Sequence, residues 1–235
     1  MAETPQSTAT LRLKVGELTV VHEVRAPAAA VRAIDVVPAL QRLVNAVVDA
    51  AEHKDVAAGH AVSCRKGCGA CCRQLVPVSR TEGEHLLALL KQMPPARRER
   101  LRQRFAAAEQ AIERAGLKDR GGRSDRELSV AYFAMRVPCP FLEEESCSIH
   151  PDRPLVCREY LVTSPAELCA GPAQEGVAPV AVPKVSMAAR KLEDDADDWF
   201  PLALLMAWAR TRPKDRRKRL GMEWIQRFVQ RMSGR

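Results

Sequence analysis

Cys64-Arg65-Lys66-Gly67-Cys68-Gly69-Ala70-Cys71-Cys72 compresses four thiols into one short run. The other four follow in Cys139-Pro140-Phe141-Leu142, Cys147-Ser148-Ile149-His150, Cys157-Arg158-Glu159-Tyr160 and at Cys169. Thiols grouped this closely either bridge to one another or hold a metal, and the redox compartment decides which. The run from Met1 to Ser7 has no basic region leading into an apolar one, so no secretory signal is expected. No stretch reaches the roughly 18–20 apolar residues of a membrane span; the longest, near Leu202 to Ala209, is too short. A soluble cytoplasmic protein with reduced thiols is the reading, and it favours metal over disulfides.

Four ligands so close together require a tight loop, and Gly67 and Gly69 supply backbone conformations closed to other residues. Cys68 and Cys71 have knuckle spacing, which lets two sulfurs face one ion at about 2.3 Å. Adjacent Cys71 and Cys72 are harder to place, because successive side chains of an extended backbone point to opposite sides. They are expected to serve two centres, or one of them to stay unligated. Arg65, Lys66 and Arg73 flank the group and are expected to lower its thiol pKa values. Cys139-Pro140 ends a loop rigidly, and Arg153-Pro154 opens a short helical turn at Cys157, beside which Arg158 adds a cation. His150 is the one histidine among the cysteines; a single imidazole is more often packed or solvated than ligating.

An all-sulfur set suits zinc or iron–sulfur centres. A zinc ribbon would have two plain knuckles, and this chain has one. The Cys64, Cys68, Cys71 spacing also matches the cluster loop of radical S-adenosylmethionine enzymes, but the alternating strands and helices of that barrel are missing. Iron–sulfur is preferred over zinc for so closely packed an all-cysteine loop. Structural zinc held by thiolates contributes roughly 10–16 kcal/mol, against about 5–15 kcal/mol for a whole domain. Pro138 to Pro183 is poor in periodicity, and metal removal is expected to unfold it locally.

These residues resemble the YkgJ-type cysteine-cluster family, also called the CxxCxxCC or zinc- or iron-chelating domain family. The likeness runs through Gly67-Cys68-Gly69-Ala70-Cys71-Cys72-Arg73, Cys139 to Leu142, Cys147 to His150, Arg153-Pro154 and Cys157 to Tyr160, over about residues 62 to 170. It implies that all eight cysteines are metal ligands: Cys64, Cys68, Cys71, Cys72, Cys139, Cys147, Cys157 and Cys169, the last with little motif around it. Two departures stand out: Glu143 to Ser146 where the family often has a glycine, and no proline after Tyr160. The family implies little about activity. Some flagellin lysine-methylating proteins are similar in this region, so a protein-modifying, lysine N-methylase-like enzyme is the alternative to a structural or redox metal-binding protein. No G-x-G-x-x-G turn for a methyl donor is present.

Away from the cysteines the chain is ordinary: 46% apolar, 28% charged, net charge +8. Leu11, Leu13 and Val15, then Leu18, Val20 and Val24 around Gly16-Glu17, predict a hairpin. Asp35 and Pro38 open a helix through Leu40, Leu43, Val44, Val47 and Val48 that fades before Gly59. Gln74 to Val78 is expected to be extended. Helices are predicted from Ser79 or Thr81 to Met93, from Pro95 to Ala115, from Asp125 to Arg136, from Val185 to Asp195, from Pro201 to Thr211 and from Met222 to Met232. The C-terminal aromatics Trp199, Phe200, Trp208, Trp224 and Phe228 are read as core. The fold class is mainly α with small β hairpins, an irregular cysteine-rich metal-binding module being inserted among helices. It divides into an N-terminal hairpin and helix (1–61), the metal module (62–183) and C-terminal helices packing on the same core (184–235).

Two basic clusters, Arg97 to Arg104 and Arg212 to Arg219, account for the positive charge. The first mixes with acids and reads as a solvated helix face. The second is denser, yet neither carries interleaved aromatics for base stacking, which disfavours nucleic acid. Glu82 and Glu84 lie near enough to approach a metal, but they fit better as acids at the positive end of a helix dipole.

Overall fold

Apolar and polar residues alternate on both sides of Gly16, and they build a hairpin longer than the apolar run alone suggests. β1 (Gln6–Val15) pairs antiparallel with β2 (Leu18–Pro27), from Gln6 opposite Pro27 to Val15 opposite Leu18. Gly16 takes φ +59°, the sign a tight hairpin turn requires. In the computed structural model, which describes residues 5–118, 121–170, 176–194, 196–212 and 217–232, the chain is mainly helical with four two-stranded antiparallel pairs.

The inner face of the hairpin, with Val20, Val24 and Ala26, covers α1 (Val37–Ala57), whose Leu40, Leu43, Val44 and Val47 are buried. Asp35 accepts the Arg32 N–H at 3.0 Å. It therefore caps a 3-10 turn, Ala33–Val36, that precedes α1 rather than capping α1 itself. The last helix, α7 (Gly221–Met232), closes this core with Trp224, Ile225 and Phe228. Each of those large side chains contributes about 1.5–3 kcal/mol on burial. β3 (Ala30–Val31) and β8 (Arg219–Leu220) pair beside it.

A second core lies under α2 (Arg80–Gln92) and α3 (Pro95–Arg114), through Leu86, Leu90, Leu101 and Phe105. Phe105 meets Phe141 edge to face, with ring centroids 5.4 Å apart. Ser79 starts α2 as an N-cap: its hydroxyl accepts the Glu82 N–H, and Glu82 returns a carboxylate to the Ser79 N–H. Ser124 and Glu127 repeat the device ahead of α4 (Asp125–Ala134), which packs Leu128 and Tyr132 on Ile112 and Leu204.

Two predicted C-terminal helices differ from expectation. Val185 to Asp195 contains a 3-10 helix, Val185–Lys191, with Asp195 outside the described residues. Pro201 to Thr211 begins not as helix but at the end of β7 (Trp199–Pro201), which pairs with β4 (Pro77–Ser79). A 3-10 turn, Leu202–Leu204, then leads into α6 (Leu205–Thr211). The Leu202 N–H donates to the Val76 carbonyl at 2.8 Å, so the residue ahead of β4 takes a bond that helical spacing would have used locally.

Of the second basic cluster, residues 213–216 lie outside the described ones. Arg212 pairs with Glu84 and lies over Trp208, Arg217 stands near Glu193 and Asp194, and Arg219 lies over Trp224. No helix of the described residues is long and apolar enough to cross a membrane.

Candidate metal centre

The first cysteine loop is a chain of turns. The N–H of Cys68 donates to the Arg65 carbonyl at 3.1 Å, that of Cys72 to Gly69 at 2.9 Å, and that of Gln74 to Cys71 at 3.0 Å. Gly67 sits at φ +90°. Gly69 is needed for close approach: a Cβ there would stand 2.5 Å from the Glu145 carbonyl oxygen and 2.6 Å from the Leu142 side chain. The extended backbone expected at Cys71 and Cys72 is therefore not found, and both thiols line the same cavity. Upstream, Ser63 is held by the Val162 and Thr163 carbonyls at 2.9 and 3.2 Å.

The second group meets this loop along its backbone. The Cys139 N–H donates to the Cys72 carbonyl at 2.7 Å. The short hairpin of β5 (Leu142–Glu143) and β6 (Ser146–Cys147) turns through Glu144 and Glu145, at φ +50° and +56°. Here two glutamates adopt the conformation for which glycine is the usual residue. Arg73 grips Glu145 with both Nη atoms, at 3.0 and 2.7 Å. Part of the α3 cluster expected on a solvated face also serves this hairpin. Arg104 donates to the Leu142 carbonyl at 2.8 Å, and Arg97 donates to that of Ser148 at 3.0 Å.

Cys157 stands on α5 (Leu155–Glu159), which is pinned at both ends. The Leu155 N–H donates to Glu82 Oε1 at 2.8 Å, while Glu82 Oε2 accepts from the Ser79 hydroxyl at 2.7 Å. Glu159 accepts the N–H and hydroxyl of Ser186 at 2.5 and 2.6 Å. Buried Arg158 donates to Asn45 on α1, and to the carbonyls of Arg153 and Pro151. Glu82 is thus a clamp on α5, and Glu84 is taken up by Arg212 and Arg32; neither carboxylate lines the thiol cavity. Sequence reasoning placed both acids at the helix start but did not see the reach of Glu82 to Leu155. The capping pattern Ser79-x-x-Glu82 was the only local signal.

Cys64, Cys68, Cys71, Cys72, Cys139, Cys147 and Cys157 line one cavity of about 80 Å³, together with His150, Tyr160 and Arg153 and an apolar wall that includes Phe141, Ile149 and Leu202. Cys169 is buried in the 3-10 helix Ala166–Ala170 and does not line it; its thiol meets the Tyr160 hydroxyl instead. All eight cysteines are free. Among the described residues, no three His, Cys, Asp or Glu side chains are arranged as a closed ligand set for an ion. Seven thiols thus share a cavity without forming a coordination shell.

Burial raises the thiol pKa of Cys64, Cys147, Cys157 and Cys169, and pushes that of Cys139 to about 12. For Cys71 the hydrogen bond with Cys72 raises it first, and burial adds to the effect. The lowering expected from Arg65, Lys66 and Arg73 is overturned for these thiols, because desolvation wins and Arg73 is engaged by Glu145. A cation binding here would displace thiol protons. The donors nevertheless fit a thiophilic group: they are sulfur with one imidazole, no carboxylate lines the cavity, and every cysteine is free to ligate.

Residues 63–176, which include all eight cysteines, match the family model CxxCxxCC, described as "Putative zinc- or iron-chelating domain". No curated protein matches the chain, and no solved structure does.

Proposed function

Residues 63–176 are a domain of the CxxCxxCC family, and from that premise we propose that the chain holds zinc or an iron–sulfur cluster through Cys64, Cys68, Cys71, Cys72, Cys139, Cys147 and Cys157. The observation that carries this reading is the meeting of seven free thiols on one cavity without a carboxylate. They come from four places: the first loop, the Cys139 loop, β6 and α5. A tetrahedral zinc takes four sulfurs, so seven favour a polynuclear unit, and an iron–sulfur cluster is preferred to a pair of zinc ions. Cys169, one residue removed behind Tyr160, is assigned as an outer thiol rather than a direct ligand.

The role we assign is structural in the first place. Regular structure between Pro138 and Ala170 is limited to two-residue strands and short helices, and a bound metal would supply cross-links between segments that hydrophobic burial alone holds weakly. A cluster would in addition supply a one-electron redox couple. Metal analysis of protein purified without oxygen tests the proposal. Iron with acid-labile sulfide and broad visible absorption supports the cluster, and colourless protein with stoichiometric zinc supports the zinc form. Protein that takes up neither after reconstitution ends both.

A further inference from the structure

Arg153 brings a cation to the thiol cavity that nothing among the described residues neutralises. It lines the cavity with the seven thiols, and its Nε is buried without a hydrogen-bond acceptor. Burying such a group unpaired is unfavourable, so its placement asks for a partner.

The main chain around Arg153 is fixed. Its carbonyl accepts from Arg158 Nε at 3.0 Å and from Gln41 Nε2 at 3.4 Å. Its ψ of 147° lies in the extended range that the following Pro154 favours. The neighbouring acid, Asp152, faces His85 at 3.8 Å. Arg65 also lines the cavity but is exposed to solvent, and buried Arg158 close by has its donors occupied by Asn45, Arg153 and Pro151. The Arg158 guanidinium bonds to the Arg153 carbonyl, so two cationic residues are direct neighbours here. Two cations side by side in a part-buried site are a cost that negative charge in the cavity would offset.

The thiols are the source of that charge. Arg153 shares the cavity with Cys64, Cys71, Cys147 and Cys157, thiols drawn from the first loop, β6 and α5. A divalent ion held by four thiolates still carries two net negative charges, and its sulfurs accept N–H donors. We infer that Arg153 is the counter-cation of the sulfur-ligated centre, a positioning residue whose guanidinium donates to thiolate sulfur and holds the metal-bound form in place. This inference rests on the metal-binding reading of the same cavity. Groups that hydrogen-bond to ligands typically change metal affinity 10- to 100-fold.

The test uses the full chain, as wild type, Arg153→Met and Arg153→Lys, each loaded with the metal found on purification and titrated with a chromophoric chelator. Arg153→Met is expected to release metal at about 10- to 100-fold lower chelator concentration, with Arg153→Lys in between because it keeps the charge but loses the Nε donor. Metal-free Arg153→Met should have a urea midpoint no lower than that of metal-free wild type, since the side chain has no protein partner to lose and its unpaired charge is removed. For an iron–sulfur form, the reduction potential should also fall in Arg153→Met as a positive charge leaves. Equal metal retention by wild type and Arg153→Met overturns the inference and leaves the metal reading intact. A lowered urea midpoint of the metal-free Arg153→Met protein overturns it in favour of a packing role. Wild type that binds no metal overturns both.

Discussion

The N–H of Cys139 donates to the carbonyl of Cys72 at 2.7 Å, so the two cysteine groups are joined through backbone before any metal is considered. This bond, with the Arg73–Glu145 pair beside it, brings the first loop and the β5–β6 hairpin together using groups that do not ligate. The site is therefore partly organised by the polypeptide, and metal would complete the convergence rather than create it.

Metal removal should loosen one region more than the rest. Chelation is expected to raise hydrogen exchange from Pro138 to Ala170 while α1 and α7, buried in their own core, keep their protection. Uniform change along the chain, or none, would contradict a structural role.

Gly69→Ala should separate the two groups. The new methyl would meet the Glu145 carbonyl oxygen at 2.5 Å, and overpacking of this kind costs about 1–3 kcal/mol. Thermal midpoint and bound metal are both expected to drop; a variant with wild-type values for both would show that the close approach is dispensable.

Glu82→Ala should weaken the mounting of Cys157. It leaves the N–H groups of Leu155 and Ser79 without their acceptor, and a buried donor left unpaired costs about 1–3 kcal/mol. Glu82→Gln keeps an acceptor for Leu155 but turns an amide N–H₂ toward the donors of Ser79, so it should lose less. Urea denaturation ranks the two, and equal stability of Glu82→Ala and wild type would remove Glu82 from the clamp.

Glu144→Gly is expected to stabilise. Glu144 is exposed at φ +50°, and the left-handed conformation costs an L-residue about 1–2 kcal/mol. Glycine gives back roughly 0.5–1 kcal/mol through the unfolded chain, which leaves a net gain of up to about 1.5 kcal/mol. A lower urea midpoint than wild type would refute it.

Acid should destabilise the fold partly through His85. Burial holds its pKa below the ordinary 6.5; nearby Arg158 lowers it further, and Asp152 opposes both. As pH falls through about 6.5 the unfolded chain therefore takes up this proton first. The His85 contribution is complete above that pH and is lost below it until the folded-state pKa is reached. Stability curves between pH 5 and 8 should be flatter on the acid side in His85→Gln; an unchanged slope would exclude this source.

Much of the scaffold was legible because its determinants are local. The apolar spacing from Leu40 to Val48, the Ser79-x-x-Glu82 capping pattern and the Gly16 turn all act within a few residues. The C-terminal stretch was misread for the opposite reason. Phe200 pairs with Val78, and Leu202 bonds to Val76, across more than half of the chain. Helix-forming composition did not prevail against those contacts.

The same division applies to the site. Eight thiols, their knuckle spacing and the glycines between them are properties of the chain, and they already pointed to thiophilic metal chemistry. Only the tertiary structure decided that Cys71 and Cys72 face one cavity, that Cys169 stands outside it, and that distant Arg153 joins Arg65 there while Arg73 turns to Glu145. Direction and desolvation are set by residues far apart in the chain, such as Glu82 holding Leu155 and Arg104 holding Leu142. No local pattern encodes how a neighbour excludes water or where a turn aims a thiol.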